Sequence, residues 1–184
     1  MKHLGTKRLE TNRLLLRPFV MEDAPGCFSA WMGNVEVTEY LTWPAHNTLK
    51  ETEEVLAHWI AGYENPASYH WLIVLKDTNE PVGNISVVHH DDAIDEVHIG
   101  YVLSPDFWGQ GIMPEALSRL ITFFFDEVGA RRIESMHAVG NEKSGRVMEK
   151  AGMVKEALLR DGDLSNKGRR DAVVYAIIHP DVDD

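Results

Sequence analysis

The chain has 184 residues, 44% of them hydrophobic and 26% charged, which indicates one globular domain spanning residues 1–184 rather than a disordered chain. Its formal net charge of −11 disfavours nucleic-acid and membrane partners and favours cationic ones such as amines. The single cysteine, Cys27, excludes an intramolecular disulfide framework and a cysteine-based zinc finger. The first residues lack the apolar core of a signal peptide and no apolar run approaches about 18 residues, so we expect a cytoplasmic protein.

The first half of the chain combines two helices with several strands. Residues 13–19 have the pattern of a strand, and residues 21–33 and 48–63 have the apolar spacing of helices. Further strands are predicted at residues 70–75, 81–88 and 96–103. The turns between these three strands are too short for a parallel crossover, so the strands must be antiparallel.

The second half of the chain alternates helices and strands. After Gly109 and Gly111, apolar spacing predicts a long helix over residues 113–128, ended by Gly129. A strand (132–139), a helix (141–151) and two strands (153–159 and 172–178) follow, the last two joined by a polar connection (160–171). The prediction is an α/β (α+β) fold of about seven strands in the order β α α β β β α β α β β.

The junction at residues 101–115, YVLSPDFWGQGIMPE, carries the strongest functional signal. Gly109 and Gly111 would let a ligand approach backbone N–H groups at the start of a helix, which favours phosphate or pyrophosphate. A P-loop needs a lysine after the second glycine, and a Rossmann fingerprint needs a glycine where Pro114 stands. Both are excluded, and by itself the pattern leaves a ligand site and a plain strand-to-helix turn open.

The longer stretch HIGYVLSPDFWGQGIMPEA resembles the acetyl-CoA-binding segment of the GCN5-related N-acetyltransferase (GNAT) superfamily. Other segments, including ETNRLLLRPF and NEKSGRVMEKAGMVKEA, resemble the branch that contains ribosomal-protein alanine N-acetyltransferases, so the resemblance spans about residues 8–178. It implies the GNAT fold, a central mixed, mostly antiparallel twisted sheet with helices on both faces. It also implies acetyl transfer from acetyl-CoA to a primary amine by direct attack in a ternary complex, without a metal.

The resemblance implies a place for the cosubstrate. The strand at residues 96–103 would splay from the strand at 132–139, and the pantetheine arm would pair with the backbone of Val102 and Leu103. Asn141 matches an asparagine near the pantetheine, although helix capping would also explain it. The pyrophosphate would bind the backbone N–H groups of Gly109, Gln110, Gly111, Ile112 and Met113.

The resemblance also implies catalytic candidates. Ser144 matches a serine that holds the CoA sulfur and protonates the leaving thiolate in this branch, while Met148 stands where the superfamily more often has a tyrosine. His98 occupies the position of a common glutamate and is a candidate base, with Glu96 on the same strand face. Asp163 aligns roughly with an acidic residue implicated in deprotonating the amine. Each of these residues also has a purely structural interpretation.

Two further groups of residues were considered as ligand sites. Tyr40 and Trp43 lie in an aperiodic segment that borders the acceptor cleft in this fold, and both are candidates for substrate binding. A second group would occupy a hairpin tip without a cysteine or a spaced histidine partner, so no metal is expected there. Its members are His89, His90, Asp91 and Asp92.

The acceptor amine remains open between two classes at this point. The resemblance favours the N-terminal α-amine of a protein or peptide, such as a ribosomal or other cationic protein. The alternative is a small-molecule amine, namely a polyamine, an amino acid or an aminoglycoside, and the acidic charge suits both classes. A non-catalytic acyl-CoA-binding sensor is a third possibility, supported by the departures at His98 and Met148. A homodimer is compatible with the resemblance.

Overall fold

The computed structural model describes residues 1–180 of the chain and places its strands in one sheet. The strands are β1 (Leu9–Glu10), β2 (Leu14–Arg17), β3 (His70–Leu75), β4 (Pro81–Asp91), β5 (Glu96–Leu103), β6 (Arg132–Ala138), β7 (Val154–Ser165) and β8 (Gly168–Ile178). Their order is β1-β2-β3-β4-β5-β6-β8-β7, and every neighbouring pair is antiparallel except β5 and β6. The sheet has eight strands rather than about seven because the two-residue β1 pairs with β2 at one edge.

Five α-helices connect the strands. They are α1 (Ala24–Cys27), α2 (Val35–Thr38), α3 (Leu49–Gly62), α4 (Ile112–Phe123) and α5 (Glu142–Lys150). The helix predicted over residues 21–33 is a composite of a 3₁₀ turn, the short α1 and a wider π-helical turn, because Pro25 and Gly26 weaken a regular α-helix there. In the described part of the chain, no helix has both the length and the apolar character needed to cross a membrane.

The sheet carries helices on both faces, as expected. Trp71 and Ile73 of β3 pack in the same apolar cluster as Leu117 and Leu120 of α4. The alternate residues Leu72 and Val74 of β3 pack with Cys27, Trp31 and Leu56, which belong to the helices of the opposite face. The period of two along β3 therefore builds a core on each side of the sheet.

The polar connection predicted at residues 160–171 is instead the outer half of a long hairpin. The β7–β8 ladder continues to the pair Ser165–Gly168, leaving a two-residue loop. At the tip, the Asn166 side chain donates to three backbone carbonyl oxygens, at 2.7–3.0 Å, in the segment before α3. This half of the hairpin projects beyond the core, so its strands lack the apolar alternation that would have revealed them.

The one parallel strand pair separates soon after it begins. β5 and β6 are in register only at Glu96–Arg132, Val97–Ile133 and His98–Glu134. The Ser135 hydroxyl then donates to the backbone oxygen of Ile99, at 2.7 Å, at the point where the strands part. Beyond this point β5 stays paired with β4 while β6 pairs with β8, so a cleft opens between β5 and β6.

Candidate functional site

The cleft that begins where β5 and β6 part has a volume of about 860 Å³. It is bounded by the end of β5, the start of α4, the start of α5 and the segment around α2. Most of the residues predicted for cosubstrate and acceptor binding line it, although they come from three distant parts of the sequence. These residues are Tyr40, Val102, Leu103, Gly109, Gly111, Ile112, Met113, Asn141 and Ser144.

The glycine loop gives the cleft a ready site for an anion. Gly109 and Gly111 have φ values of +76° and +74°, the left-handed region in which a residue with a Cβ is strained. Gly111 is the N-cap of α4 and supplies no side chain to the helix start. The N–H groups of the first helical turn have no intrahelical partners, so they and the helix dipole are available to a phosphate group.

Arg13 anchors this loop to the start of β2, a role that the sequence did not reveal. Its Nη1 donates to the backbone oxygen of Gln110 at 3.1 Å, and its Nε donates to Glu115 Oε2 at 2.7 Å. Gln110 thus contributes its backbone carbonyl to the loop's own anchoring. Burial raises the pKa of Glu115, but hydrogen bonds from Thr11 and Arg13 outweigh it and lower that pKa, so the carboxylate stays ionised.

The hydrogen-bond ladder between β4 and β5 corrects the expectation for Val102. The Ser104 N–H donates to Val82 O, and the same ladder places Val102 opposite Asn84. Because donors and acceptors alternate along an antiparallel strand, the backbone N–H and C=O of Val102 face β4. The Val102 side chain lines the cleft, but its backbone is not free to pair with a ligand there.

The backbone groups that face the cleft are therefore those of Tyr101 and Leu103. The Leu103 carbonyl already accepts a hydrogen bond from the Trp108 Nε1, at 2.9 Å. Tyr101 keeps its backbone N–H and C=O directed toward the gap between β5 and β6. An extended ligand arm in this gap would thus meet Tyr101 first.

Tyr101 also contacts the predicted proton donor. Its Oη lies 2.9 Å from both the backbone oxygen and the hydroxyl oxygen of Ser144. A carbonyl can only accept, so when Tyr101 donates to the Ser144 carbonyl, the Ser144 hydroxyl donates to Tyr101 Oη. Burial raises the pKa of Tyr101, so this phenol stays protonated at neutral pH. The sequence analysis missed Tyr101 because a strand tyrosine carries no signal of its own.

The start of α5 presents its polar groups to the cleft. Asn141 is the N-cap residue, but its side chain makes no capping hydrogen bond, so the carboxamide is available to a ligand. Met148 is fully buried one turn below Ser144. It therefore serves the core, and its position offers no proton donor.

Basic side chains on one face of α5 give this acidic protein a local positive patch. Lys143, Arg146 and Lys150 line the cleft, and their spacing of three and four residues places them on one side of the helix. The Lys143 ammonium lies 4.5 Å from the centroid of the Trp108 ring. Their helical spacing was visible in the sequence, but the cleft that they face was not.

His98 and Glu96 belong to a separate ionic cluster. Arg132 is 2.7 Å from a carboxylate oxygen of each of Glu96, Glu134 and Glu156, and His98 Nδ1 is 3.4 Å from Glu134. Burial lowers the pKa of His98, although Glu134 and Glu96 oppose the shift. Within residues 1–180, neither His98 nor Glu96 is among the residues that line the cleft.

The remaining predicted residues divide between the cleft and its surroundings. Tyr40 lines the cleft, donates to the Gly140 backbone oxygen at 3.2 Å and stacks under the Arg170 guanidinium at 5.1 Å. Asp163 lies in β7 opposite Arg170 and, in the part of the chain that the structure describes, is not among the residues that line the cleft. Trp43 instead lines a second pocket of about 580 Å³ beside α3.

Comparison with known proteins identifies the class of protein that this fold and cleft define. The sequence profile of the acetyltransferase (GNAT) domain matches residues 13–154. "Uncharacterized N-acetyltransferase YoaA" of Bacillus subtilis is 30% identical over 172 residues, covering 94% of this chain and 97% of YoaA. The chain therefore belongs to the GNAT family of acetyltransferases. It is an N-acetyltransferase with acetyl-CoA as its acetyl donor.

Two further comparisons concern ribosomal proteins. "Putative ribosomal N-acetyltransferase YdaF" of Bacillus subtilis is 38% identical over 96 residues, which are 52% of each chain. The solved structure of RimL, the ribosomal L7/L12 alpha-N-protein acetyltransferase in complex with coenzyme A, superposes with a TM-score of 0.81. It is 24% identical and the match covers 91% of this chain and 95% of RimL, which shows a shared fold.

Proposed function

We propose that this enzyme acetylates the N-terminal α-amine of a protein or peptide. The observation that carries the proposal is the cleft itself, which joins a phosphate-binding helix start, a free strand edge at Tyr101 and the Tyr101–Ser144 hydroxyl pair. The first two features suit the pyrophosphate and the amide-rich arm of acetyl-CoA. The third supplies the proton that a departing thiolate requires.

Acetyl-CoA fits the cleft by charge as well as by shape. Its pyrophosphate would meet the N–H groups from Gly109 to Met113, and the amide arm would run along the open edge of β5. Lys143, Arg146 and Lys150 would face the remaining phosphate of the nucleotide end. The chain as a whole carries a charge of −11, so this local positive patch is needed to hold a polyanion.

Ser144 and Tyr101 form the proposed proton donor. The amine attacks the thioester carbonyl, and collapse of the tetrahedral intermediate breaks the C–S bond and releases a thiolate. Ser144 turns its hydroxyl from Tyr101 Oη, 2.9 Å away, toward the sulfur and gives its proton to the thiolate, and the proton that the amine lost returns through water to Ser144 Oγ. The raised pKa of Tyr101 keeps the phenol protonated throughout, so its hydrogen bond to the Ser144 carbonyl holds Ser144 in position.

His98 is the proposed acceptor of the amine proton, acting through water. Burial lowers its pKa, so the imidazole is neutral and basic at pH 7. His98, Gly100 and Val102 share one face of β5, and the Val88 side chain packs over Gly100, so the water route would pass around Val88. Along the strand His98 lies about 10 Å from Tyr101, which is too far for direct transfer and requires bridging water.

Acidic side chains on the α2 side of the cleft favour a cationic acceptor. Glu36 and Glu39 line the side formed by α2 and the residue after it, although Glu39 also pairs with Lys167, and Glu142 lines the side formed by α5. A protein N-terminus would approach the α2 side as a mobile cationic chain, which the open cleft can accommodate. The names of YdaF and RimL support this class of acceptor.

Thiol release from acetyl-CoA by the purified protein tests the proposal. One panel of acceptors holds peptides that start with Ala, Ser or Met, and the other holds polyamines, amino acids and aminoglycosides. Turnover confined to the peptide panel supports the proposal, and turnover confined to the second panel replaces it with a small-molecule acetyltransferase. Silence in both panels with CoA still bound would overturn the proposal and point to an acceptor outside both panels.

Two conservative variants test the proton donor. Ser144→Ala and Tyr101→Phe should each lower kcat by about 100-fold or more with little change in CoA affinity, since general acid catalysis contributes about 10²- to 10⁴-fold. The matched control is Tyr175→Phe. It removes a hydroxyl that donates to Glu149 in the last turn of α5. An unchanged kcat in Ser144→Ala would remove Ser144 from the acid role and leave water as the donor.

A further inference from the structure

A cluster of metal-ligating side chains lies outside the cleft, where the N-terminal segment crosses the β4–β5 hairpin. His3 Nε2 is 3.0 Å from Asp92 Oδ1, and His90 Nδ1 is 3.5 Å from the same oxygen. The ring centroids of His3 and His90 are 4.7 Å apart. One ligand atom from each of the three residues lies within 4.8 Å of the other two.

These distances approach those of a tetrahedral transition-metal site. Imidazole nitrogens and carboxylate oxygens bind zinc at about 2.0–2.1 Å, which places neighbouring ligands about 3.3 Å apart in a tetrahedron. The two separations from Asp92 already bracket this value. The remaining separation is at most 4.8 Å, so a side-chain movement of no more than about 1.5 Å brings it to this value.

The surroundings of the two histidines add independent support. His90 Nδ1 is buried and has no hydrogen-bond partner, so a polar atom points into the cluster unsatisfied. His3 Nδ1 lies 3.1 Å from the hydroxyl of Tyr69, a buried ring stacked on Trp71. The Leu4 N–H donates to Tyr69 Oη at 3.1 Å, and the contact with Tyr69 holds the His3 ring so that Nε2 faces Asp92. A metal at Nε2 would replace the hydrogen bond to Asp92 and move the ring proton to Nδ1, where Tyr69 Oη can accept it.

We propose that His3, His90 and Asp92 bind one divalent transition-metal ion of the zinc class. The ion clamps the N-terminal segment onto the β4–β5 hairpin, and the fourth coordination position is open to water. No metal is expected from the sequence at this hairpin, because His90 and Asp92 lack a spaced histidine or cysteine partner and His3 is 87 residues away from His90. The site lies beyond the start of β5, about 17 Å along the strand from Tyr101, the first residue of β5 that lines the cleft, and is separate from acetyl transfer.

Zinc titration of the full chain, after treatment with a chelator and its removal, tests the site. Calorimetry should show one Zn²⁺ per chain, and His3→Ala or His90→Ala should weaken binding at least 10-fold. The matched control is His89→Ala, because His89 is the exposed neighbour of His90 and lies outside the cluster. Equal losses in His89→Ala and His90→Ala, or no stoichiometric binding, would mean an adventitious ion only and would overturn the proposal.

Two further readouts separate a built site from scattered surface histidines. Co²⁺ should give the visible absorption of a tetrahedral complex in the wild type and lose it in His90→Ala. Tyr69→Phe should weaken Zn²⁺ binding by about 10-fold although it removes no ligand, because it releases the orientation of His3. Hydrogen exchange of residues 1–8 should slow when Zn²⁺ is added, and exchange that is insensitive to Zn²⁺ would refute the clamp.

Discussion

Acidification should destabilise this protein through His70. The imidazole is partly buried, stacks on Trp59 at 5.1 Å between ring centroids and leaves its Nδ1 without a hydrogen-bond partner. Burial, together with the nearby His58, lowers its pKa from 6.5 to about 4. The unfolded chain therefore binds a proton more readily than the folded chain, and stability falls as the pH drops below 6.5.

The size of the effect follows from the shift in pKa. The full difference of about 2.5 units corresponds to about 3.4 kcal/mol, reached only below pH 4. Between about pH 7.5 and pH 5 the His70 contribution lost is about 2 kcal/mol. His70→Phe keeps an aromatic ring against Trp59 but removes the titrating group, so the variant should lose about 2 kcal/mol less over this interval.

Urea unfolding of both proteins at the two pH values measures the difference directly. Other groups that titrate in this range, including His98 and the carboxylates, are present in both proteins and cancel in the comparison. His89→Gln is the control for replacing a histidine as such, because His89 is exposed and lies outside the contacts of His70. If His70→Phe lost as much stability between the two pH values as the wild type, the pH dependence could not be assigned to the lowered pKa of His70.

Three further predictions concern the cleft. Gly111→Trp should abolish CoA binding measured by calorimetry, while Gly129→Trp, with a similar φ (+82°) after the C-terminal end of the same helical segment, should cost only stability. Lys143→Ala and Arg146→Ala should each weaken CoA binding several-fold and flatten its salt dependence, and Lys155→Ala on exposed β7 should not. Gly145→Ala would place a Cβ 2.7 Å from His137 Nε2, so thermal melting should show a loss of about 1–3 kcal/mol in the free energy of unfolding. Because the clash would shift the adjacent Ser144, kcat should fall by a larger factor than CoA affinity.

Much of the fold could be predicted from the sequence because each element is specified locally. Gly129 ends the helical segment that begins at α4, as predicted, and Thr48 caps α3. The failures occur where the local signal was weak. β1 is only two residues long, and the outer half of the β7–β8 hairpin is polar on both faces because it projects beyond the core. Tertiary contacts such as those of Asn166 hold that hairpin in place, and no local pattern announces them.

The candidate site also has a part that could be predicted from the sequence and a part that could not. The first depends on residues that are neighbours in the chain, and the second on residues that the sheet brings together. The glycine loop is visible in the sequence because its conformation demands glycine at positions 109 and 111. The ladder with β4 determines which backbone groups of β5 face the cleft. Its register directs the backbone of Tyr101, rather than that of Val102, toward the cleft. Tyr101 then meets Ser144 across 43 residues, as His3 meets His90 across 87. Both contacts form only when the sheet and the segments packed on it are assembled. The proposed proton donor and the proposed metal site therefore depend on distances that the fold determines and the local sequence does not.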